Sequence, residues 1–161
     1  MTRNWEDITS SDISWINYDE GSYYFNGYKI ANEDSTYAFF VSASNNNYHA
    51  FGSNFAGSKY EARAFTDSGN DGTIQGLSLT KGQYVDAAFA YATNDMVSYT
   101  DGSSAGTDTS VDPNPGPFDE FQINADRNGG NEWNGVIGSI RYYDERLTDE
   151  QLEDMSNGVF P

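Results

Sequence analysis

The sequence predicts an all-β protein: a two-sheet antiparallel sandwich with one short α-helix at its C-terminal end. Three observations predict it. Segments with period-2 alternation of apolar and polar residues recur along the chain between turns rich in Gly, Asn and Pro. About ten such segments and one terminal helix fit two packed sheets. Aromatic residues, mostly Tyr and Phe, make up 16% of the 161 residues, with 16 Gly, a mixture that suits short strands and tight turns. The stretch from Asn131 to Pro161 reads as one strand followed by a capped helix.

Residues 1–10 carry Trp5 and Ile8 among polar neighbours and read as a lead-in arm, with residues 11–161 as the domain. Ser11 to Ile16 is expected as a strand with Ile13 and Trp15 on one face. Asp19-Glu20-Gly21 turns into Ser22-Tyr23-Tyr24-Phe25, and Asn26-Gly27 is open between a type I′ hairpin and a continuing strand. Thr36 to Ala43 is apolar on both faces, which marks a central strand. Strands follow at Tyr48 to Phe51, Lys59 to Phe65 and Thr73 to Leu79, the last with Ile74 on one face and Leu77 and Leu79 on the other. Tyr84 to Tyr91 turns Val85, Ala87, Phe89 and Tyr91 inward. Asp101-Gly102, between Asp95 to Tyr99 and Ser104 to Thr109, is a strong hairpin signal. Asp112 to Pro117 holds three prolines and cannot join a sheet interior, so it reads as a surface loop before a strand at Phe118 to Asn124.

The closing strand alternates Val136, Gly138, Ile140 and Tyr142 with Ile137, Ser139, Arg141 and Tyr143, after turn chemistry at Asn134-Gly135. Thr148 is placed to cap the helix, Gln151 to return the bond as a capping box, and Leu147 and Leu152 to form the hydrophobic staple. Asp149 and Glu150 complement the helix dipole, and Asn157-Gly158 supplies the stop.

The stretch WNGVIGSIRYYDERLTDEQLEDMSNG resembles the closing strand and helix of the concanavalin A-like (laminin-G-like) jelly rolls, in the version found in bacteriophage tail fibres and other virion proteins. VDAAFAYATNDMVSYTDGSSAGTDTS resembles that group's penultimate block and ISWINYDEGSYYF its opening strand, in family order. The resemblance implies a jelly roll and a continuing strand through Asn26-Gly27. It also implies a virion-surface setting, for a protein made in the host cytoplasm. It does not imply a ligand, since the superfamily holds lectins, glycanases and structural modules. The first expectation is a non-enzymatic virion-surface structural protein that decorates the capsid or forms a head fibre. The alternative is a tail-fibre module that adheres to host-surface glycans, and a glycan-degrading enzyme stands third.

The formal charge is −17, from 25 acidic and 8 basic residues. Such a surface repels phosphate backbones and anionic membranes, so neither nucleic acid nor membrane is expected as a partner. Cys is absent, which removes disulfides and thiolate metal sites. No apolar run reaches a membrane span and the first residues do not start a signal peptide, so a soluble chain is expected.

A glycanase of this fold carries an E-x-D-x-x-E strand, and the sequence holds none; Asp119 and Glu120 are adjacent and point to opposite faces, and Asp86 stands alone. His49, the only histidine, reads as a packed or surface residue. Asp67 to Gly72 departs from an EF-hand loop and reads as a turn. No cofactor is required, and calcium is the possible one, with Asp126, Asn128, Asn131 and Glu132 as oxygen ligands on one loop. Sugar binding needs an aromatic platform beside polar groups, and Tyr18, Tyr48, Phe55 and Trp133, with Arg127, are the candidates. A homotrimer attached to other virion proteins is expected, with Phe118 and the loop of Asp112, Pro113, Pro115 and Pro117 as its contact.

Overall fold

The computed structural model describes residues 8–30, 36–44, 46–53, 58–66, 71–113, 117–126, 128 and 130–161. Eleven strands and one helix follow in order: β1 (Ile8–Ser10), β2 (Glu20–Lys29), β3 (Tyr37–Ser44), β4 (Asn47–Ser53), β5 (Lys59–Phe65), β6 (Gly72–Ser78), β7 (Val85–Ala92), β8 (Asp95–Thr100), β9 (Ser103–Asp108), β10 (Glu120–Ile123), β11 (Gly135–Tyr143) and α1 (Asp149–Met155). They form a six-stranded sheet, β1-β10-β3-β4-β5-β6, and a five-stranded sheet, β11-β2-β7-β8-β9. Every strand pairing is antiparallel, and the all-β sandwich with a short terminal helix stands as expected.

Three apolar layers follow from the alternation. Between the sheets lie Tyr23, Phe25, Phe39, Val41, Phe51, Phe89, Tyr91 and the fully buried Trp133. Tyr23 stacks on Phe89 at 5.0 Å, and Phe39 lies parallel to the same ring at 6.2 Å. Each such pair adds about 0.5–1.5 kcal/mol beyond its buried area. On the outer face of the five-stranded sheet, Ala88, Ala90 and Val97 receive Leu147, Leu152 and Met155 of the helix segment. Small side chains on this face of β7 let the helix approach closely. On the outer face of the six-stranded sheet, Tyr37, Phe40, Tyr48 and Ala50 form a third cluster with Phe65 packed against it.

Several local expectations hold in detail. Thr148 Oγ1 accepts from the Gln151 N–H at 3.2 Å, and Gln151 returns the bond to the Thr148 N–H at 2.8 Å. Asp101 and Gly102 take φ of +48° and +69°, the left-handed pair that a type I′ hairpin requires. The Gly102 N–H donates to Ser156 Oγ at 3.0 Å and ties the hairpin tip to the helix end. The strand β2 runs through Asn26 and Gly27, as the resemblance implied.

Two expectations are corrected. Ser11 to Ile16 is not a strand: Ser14 Oγ donates to Asp12 Oδ1, Trp15 Nε1 to the Asp12 carbonyl and the Ile16 N–H to the Ile13 carbonyl. These local bonds compete with a ladder and curl the segment. Ile13 and Ile16 are buried while Trp15 is exposed. Residues 8–10, assigned to the arm, instead form β1 and pair with β10; residues 1–7 lie outside the described residues.

Candidate functional site

The outer face of the six-stranded sheet carries a buried aromatic cluster with charged side chains set among it. Strand registers put them in three cross-strand rows. Gln122, Phe40, Ala50, Arg63 and Thr73 form one. Glu120, Ser42, Tyr48 and Phe65 form the next. Tyr37, Gly52, Glu61 and Gln75 form the third. Ala50 and Gly52 leave β4 low in the middle, so longer neighbours lie across it. A Cβ at Gly52 would collide with the Thr36 carbonyl.

The rings form a continuous bed. Phe40 stacks on Tyr48 at 4.4 Å and Tyr48 on Phe65 at 5.1 Å, nearly parallel, with Tyr37 edge-on to Phe40 at 5.1 Å. Arg63 crosses this bed, its guanidinium 5.8 Å from the Tyr37 ring and 5.7 Å from the Phe65 ring. Its Nε donates to Glu61 Oε1 in an ion pair, and one terminal nitrogen donates to the Tyr37 hydroxyl at 3.1 Å and the Tyr48 hydroxyl at 3.4 Å. The other terminal nitrogen has no hydrogen bond among the described residues. Glu61 is buried and its second oxygen accepts from Gln75 Nε2 at 2.9 Å. Gln122 is also buried; its nitrogen donates to Glu120 at 2.6 Å while its carbonyl oxygen has no partner. Burial, first, and the neighbouring Tyr37 raise the Tyr48 phenol above its ordinary range, so the hydroxyl stays protonated. Burial works against the Arg63 charge, but Tyr37, Tyr48 and Glu61 outweigh it and hold the guanidinium charged.

Beside the bed opens a hollow of about 210 Å³ lined by Tyr37, Phe40, Tyr48, Asp126 and Asn128. The loop before β11 makes its wall. Asp126 Oδ1 accepts from the N–H groups of Asn128 at 2.9 Å and Gly130 at 3.0 Å, and Oδ2 from the Asn131 side-chain amide at 2.6 Å. The Tyr37 N–H donates to the Asn131 carbonyl at 2.8 Å, and Glu132 forms a lone parallel bridge to Tyr37. The loop that was expected to hold calcium is thus docked on the strand that carries the aromatic bed. The Asp126 carboxylate faces three N–H groups of its own loop. No cluster of three or more acidic or histidine side chains occurs among the described residues.

The sugar candidates divide. Tyr48 lies on this face but is buried, stacked between Phe40 and Phe65. Trp133 does not lie there: it is fully buried, edge-on to Phe25 at 5.4 Å, and cannot stack a sugar, because the turn at Asn134 directs it between the sheets. Tyr18 is half-buried against Phe118 at 5.5 Å, away from the bed. Phe55 and Arg127 lie outside the described residues. The proposed contact loop is also corrected in part. Phe118 is buried edge-on to His49, and Pro113 is buried with its carbonyl accepting from His49 Nε2 at 2.8 Å. That bond turns the apolar part of the loop inward. Asp112 is half-buried, Pro117 exposed, and Pro115 outside the described residues. Tyr37, Phe40, Arg63, Phe65, Glu61 and Gln75 were missed. For Glu61, Arg63 and Phe65 the signal was their alternation, with Lys59, against Tyr60, Ala62 and Ala64.

Comparison with known proteins gives one family and a set of similar folds. The family model described as the concanavalin A-like lectin/glucanases superfamily matches residues 14–153. No curated protein sequence matches the chain. Among solved structures, domain 4 of the arabinanase AbnA from Geobacillus stearothermophilus, in complex with arabinotriose, is 18% identical with a TM-score of 0.69, over 86% of this chain and 66% of that chain. The NanB sialidase of Streptococcus pneumoniae is 15% identical with a TM-score of 0.73, over 94% of this chain, which spans only 27% of the sialidase. The CBM40 of a Ruminococcus gnavus IT-sialidase, bound to α2,6 sialyllactose, is 12% identical with a TM-score of 0.65, over 86% of this chain and 83% of that chain. At these identities the likeness shows the fold.

Proposed function

The chain belongs to the concanavalin A-like lectin/glucanase superfamily, and from that premise we propose that it is a non-enzymatic glycan-binding module whose ligand lies on the outer face of the six-stranded sheet. One observation carries this reading. Phe65 and Arg63 stand half-buried at the surface of a bed of buried rings, Tyr37, Phe40 and Tyr48, and Arg63 keeps donor capacity unused among the described residues. Sugars need an apolar ring face stacked and their hydroxyls hydrogen-bonded, and half-buried Phe65 beside Arg63 is where this face offers both, the other rings being buried. The solved neighbours named with arabinotriose and sialyllactose support the same class of ligand.

Catalysis is not part of the proposal. Glu61 and Glu120, carboxylates on strands of this face, stand on β5 and β10, with β3 and β4 between them. Three strand spacings are about 14 Å, beyond the roughly 5–9.5 Å that glycosidase carboxylates need. The proposal invokes no metal ion.

The test is calorimetric titration with arabinotriose and with α2,6-sialyllactose, one neutral and one anionic. Binding of at least one sugar is expected, unchanged by a chelator, with no new reducing ends, and weakened about tenfold or more in Arg63→Ala. Binding that Arg63→Ala leaves intact would defeat the proposal.

The setting we propose is a bacteriophage virion surface, on the strength of the three sequence blocks, with the module as a homotrimer held by other virion proteins. Exposed Pro117 and half-buried Asp112 are what remains of the expected contact. Light scattering should return three times the 17.8 kDa chain mass; a monomer at every concentration would remove the trimer.

A further inference from the structure

A second polar pocket opens at the rim between the two sheets and shares no residue with the aromatic face. It encloses about 130 Å³ and is lined by Tyr60 at the start of β5, Ser78 at the end of β6, Thr80, Gln83 and Tyr84 of the β6–β7 connection, and Asp101 of the β8–β9 hairpin. The connection is shaped by a turn in which the Gln83 N–H donates to the Thr80 carbonyl at 3.3 Å and the Gly82 N–H to the Lys29 carbonyl at 2.9 Å.

Three features set this pocket apart from a surface dimple. Tyr60 is 3% exposed, its ring lies 6.1 Å from Phe51 in the core, and its hydroxyl has no hydrogen-bond partner. A buried hydroxyl without a partner is uncommon and calls for an external one. Asp101 Oδ1 accepts from the Asp86 N–H at 2.9 Å, which fixes the carboxylate, and its second oxygen has no partner among the described residues. Tyr84 is 52% exposed and held edge-on against Tyr28 at 4.7 Å, so a large aromatic ring is fixed at the mouth instead of being buried.

We propose that this pocket is a second saccharide site, one that takes the terminal unit of a neutral glycan end-on. The hydroxyls of Tyr60, Ser78 and Thr80, the Gln83 amide and the Asp101 carboxylate supply the donors and acceptors that adjacent sugar hydroxyls require. The only charge in the lining is negative, which disfavours sulfated, phosphorylated or carboxylated sugars. The volume corresponds to about four waters at roughly 30 Å³ each. That admits the edge of one ring, with the rest of the sugar left outside against Tyr84. The site does not rest on the outer-face reading. If both hold, one chain carries two sugar-binding positions and gains avidity on a repeating glycan.

The experiment is a nuclear magnetic resonance titration of the full chain with methyl-arabinoside, methyl-galactoside and N-acetylneuraminic acid, followed at backbone amides. A neutral sugar is expected to shift the amides of Ser78, Gln83, Tyr84 and Asp101 with weak affinity, and the acidic sugar to leave them unmoved. Tyr60→Phe keeps the ring that fills the core and removes only the hydroxyl, and it is expected to weaken the sugar about tenfold. Tyr84→Ala, at an exposed position, is expected to weaken it as well. No shift at these amides with any sugar, or equal affinity in Tyr60→Phe, would overturn the proposal. Shifts confined to β3, β4 and β5 would overturn it while sparing the outer-face site, and the reverse pattern would do the opposite.

Discussion

His49 shows what a single residue does in this fold. It lies fully buried on β4, 4.2 Å from the Tyr91 ring and 4.8 Å from Phe118, with Nε2 bonded to the Pro113 carbonyl and Nδ1 without a partner. Burial lowers its pKa from 6.5 to about 4, with the Pro113 carbonyl working the other way. The neutral imidazole is therefore the folded form, and the unfolded chain binds the extra proton first as pH falls. Its stabilising contribution is complete above pH 6.5 and is lost as pH drops towards 4, by about 3 kcal/mol at most. Urea denaturation from pH 7 to pH 4 should show a steeper loss of stability for the wild type than for His49→Phe. Parallel curves would mean that the ring is hydrated or partnered in the fold. The packed alternative was readable from the apolar neighbours of His49. The burial of Trp133 was not, because a Trp after an Asn/Asp-rich loop looks the same in sequence whether the turn at Asn134 aims it outward or between the sheets.

Elements were more legible than residues wherever local chemistry and tertiary packing agree. The closing helix has its box, staple and acidic first turn, and Arg146 adds ion pairs to Asp149 at 2.7 Å and to Asp95 at 3.0 Å. Seven residues are too few for a helix to stand alone, so packing must hold it. Thr148→Ala should cost about 1 kcal/mol, or about 2–4 °C in melting temperature. Leu152→Ala, at a fully buried position, should cost about 2–5 kcal/mol and proportionally more in melting temperature. Equal small shifts for both, read by calorimetry, would mean that the helix is not docked. The strand β7 was legible on one face only. Val85, Ala87, Phe89 and Tyr91 were placed inward correctly, while the burial of Ala88 and Ala90 depends on a helix arriving from far along the chain. Ser11 to Ile16 failed for the opposite reason, because Asp12 and Ser14 bond locally and override the alternation.

On the scale of the whole molecule, the aromatic excess serves two purposes that composition cannot separate. Most rings fill the space between the sheets, and a smaller set covers the outer face of β3, β4 and β5. The alternation that identifies each strand does not say which face meets the partner sheet. That depends on β3 pairing with β10 and β4, a long-range fact. The −17 charge adds a constraint on the ligand. A neutral glycan approaches this surface without penalty, whereas an acidic one must be drawn by Arg63 against the surrounding field and should bind better as salt screens that field. The central claim is that the outer face of the six-stranded sheet holds the sugar. Amide shift mapping with whichever of arabinotriose or α2,6-sialyllactose binds tests it most directly. The largest shifts are expected at Tyr37, Phe40, Tyr48, Arg63 and Phe65 and in the Asp126 to Asn131 loop. Shifts gathered instead on β2, β11 and the closing helix would contradict it.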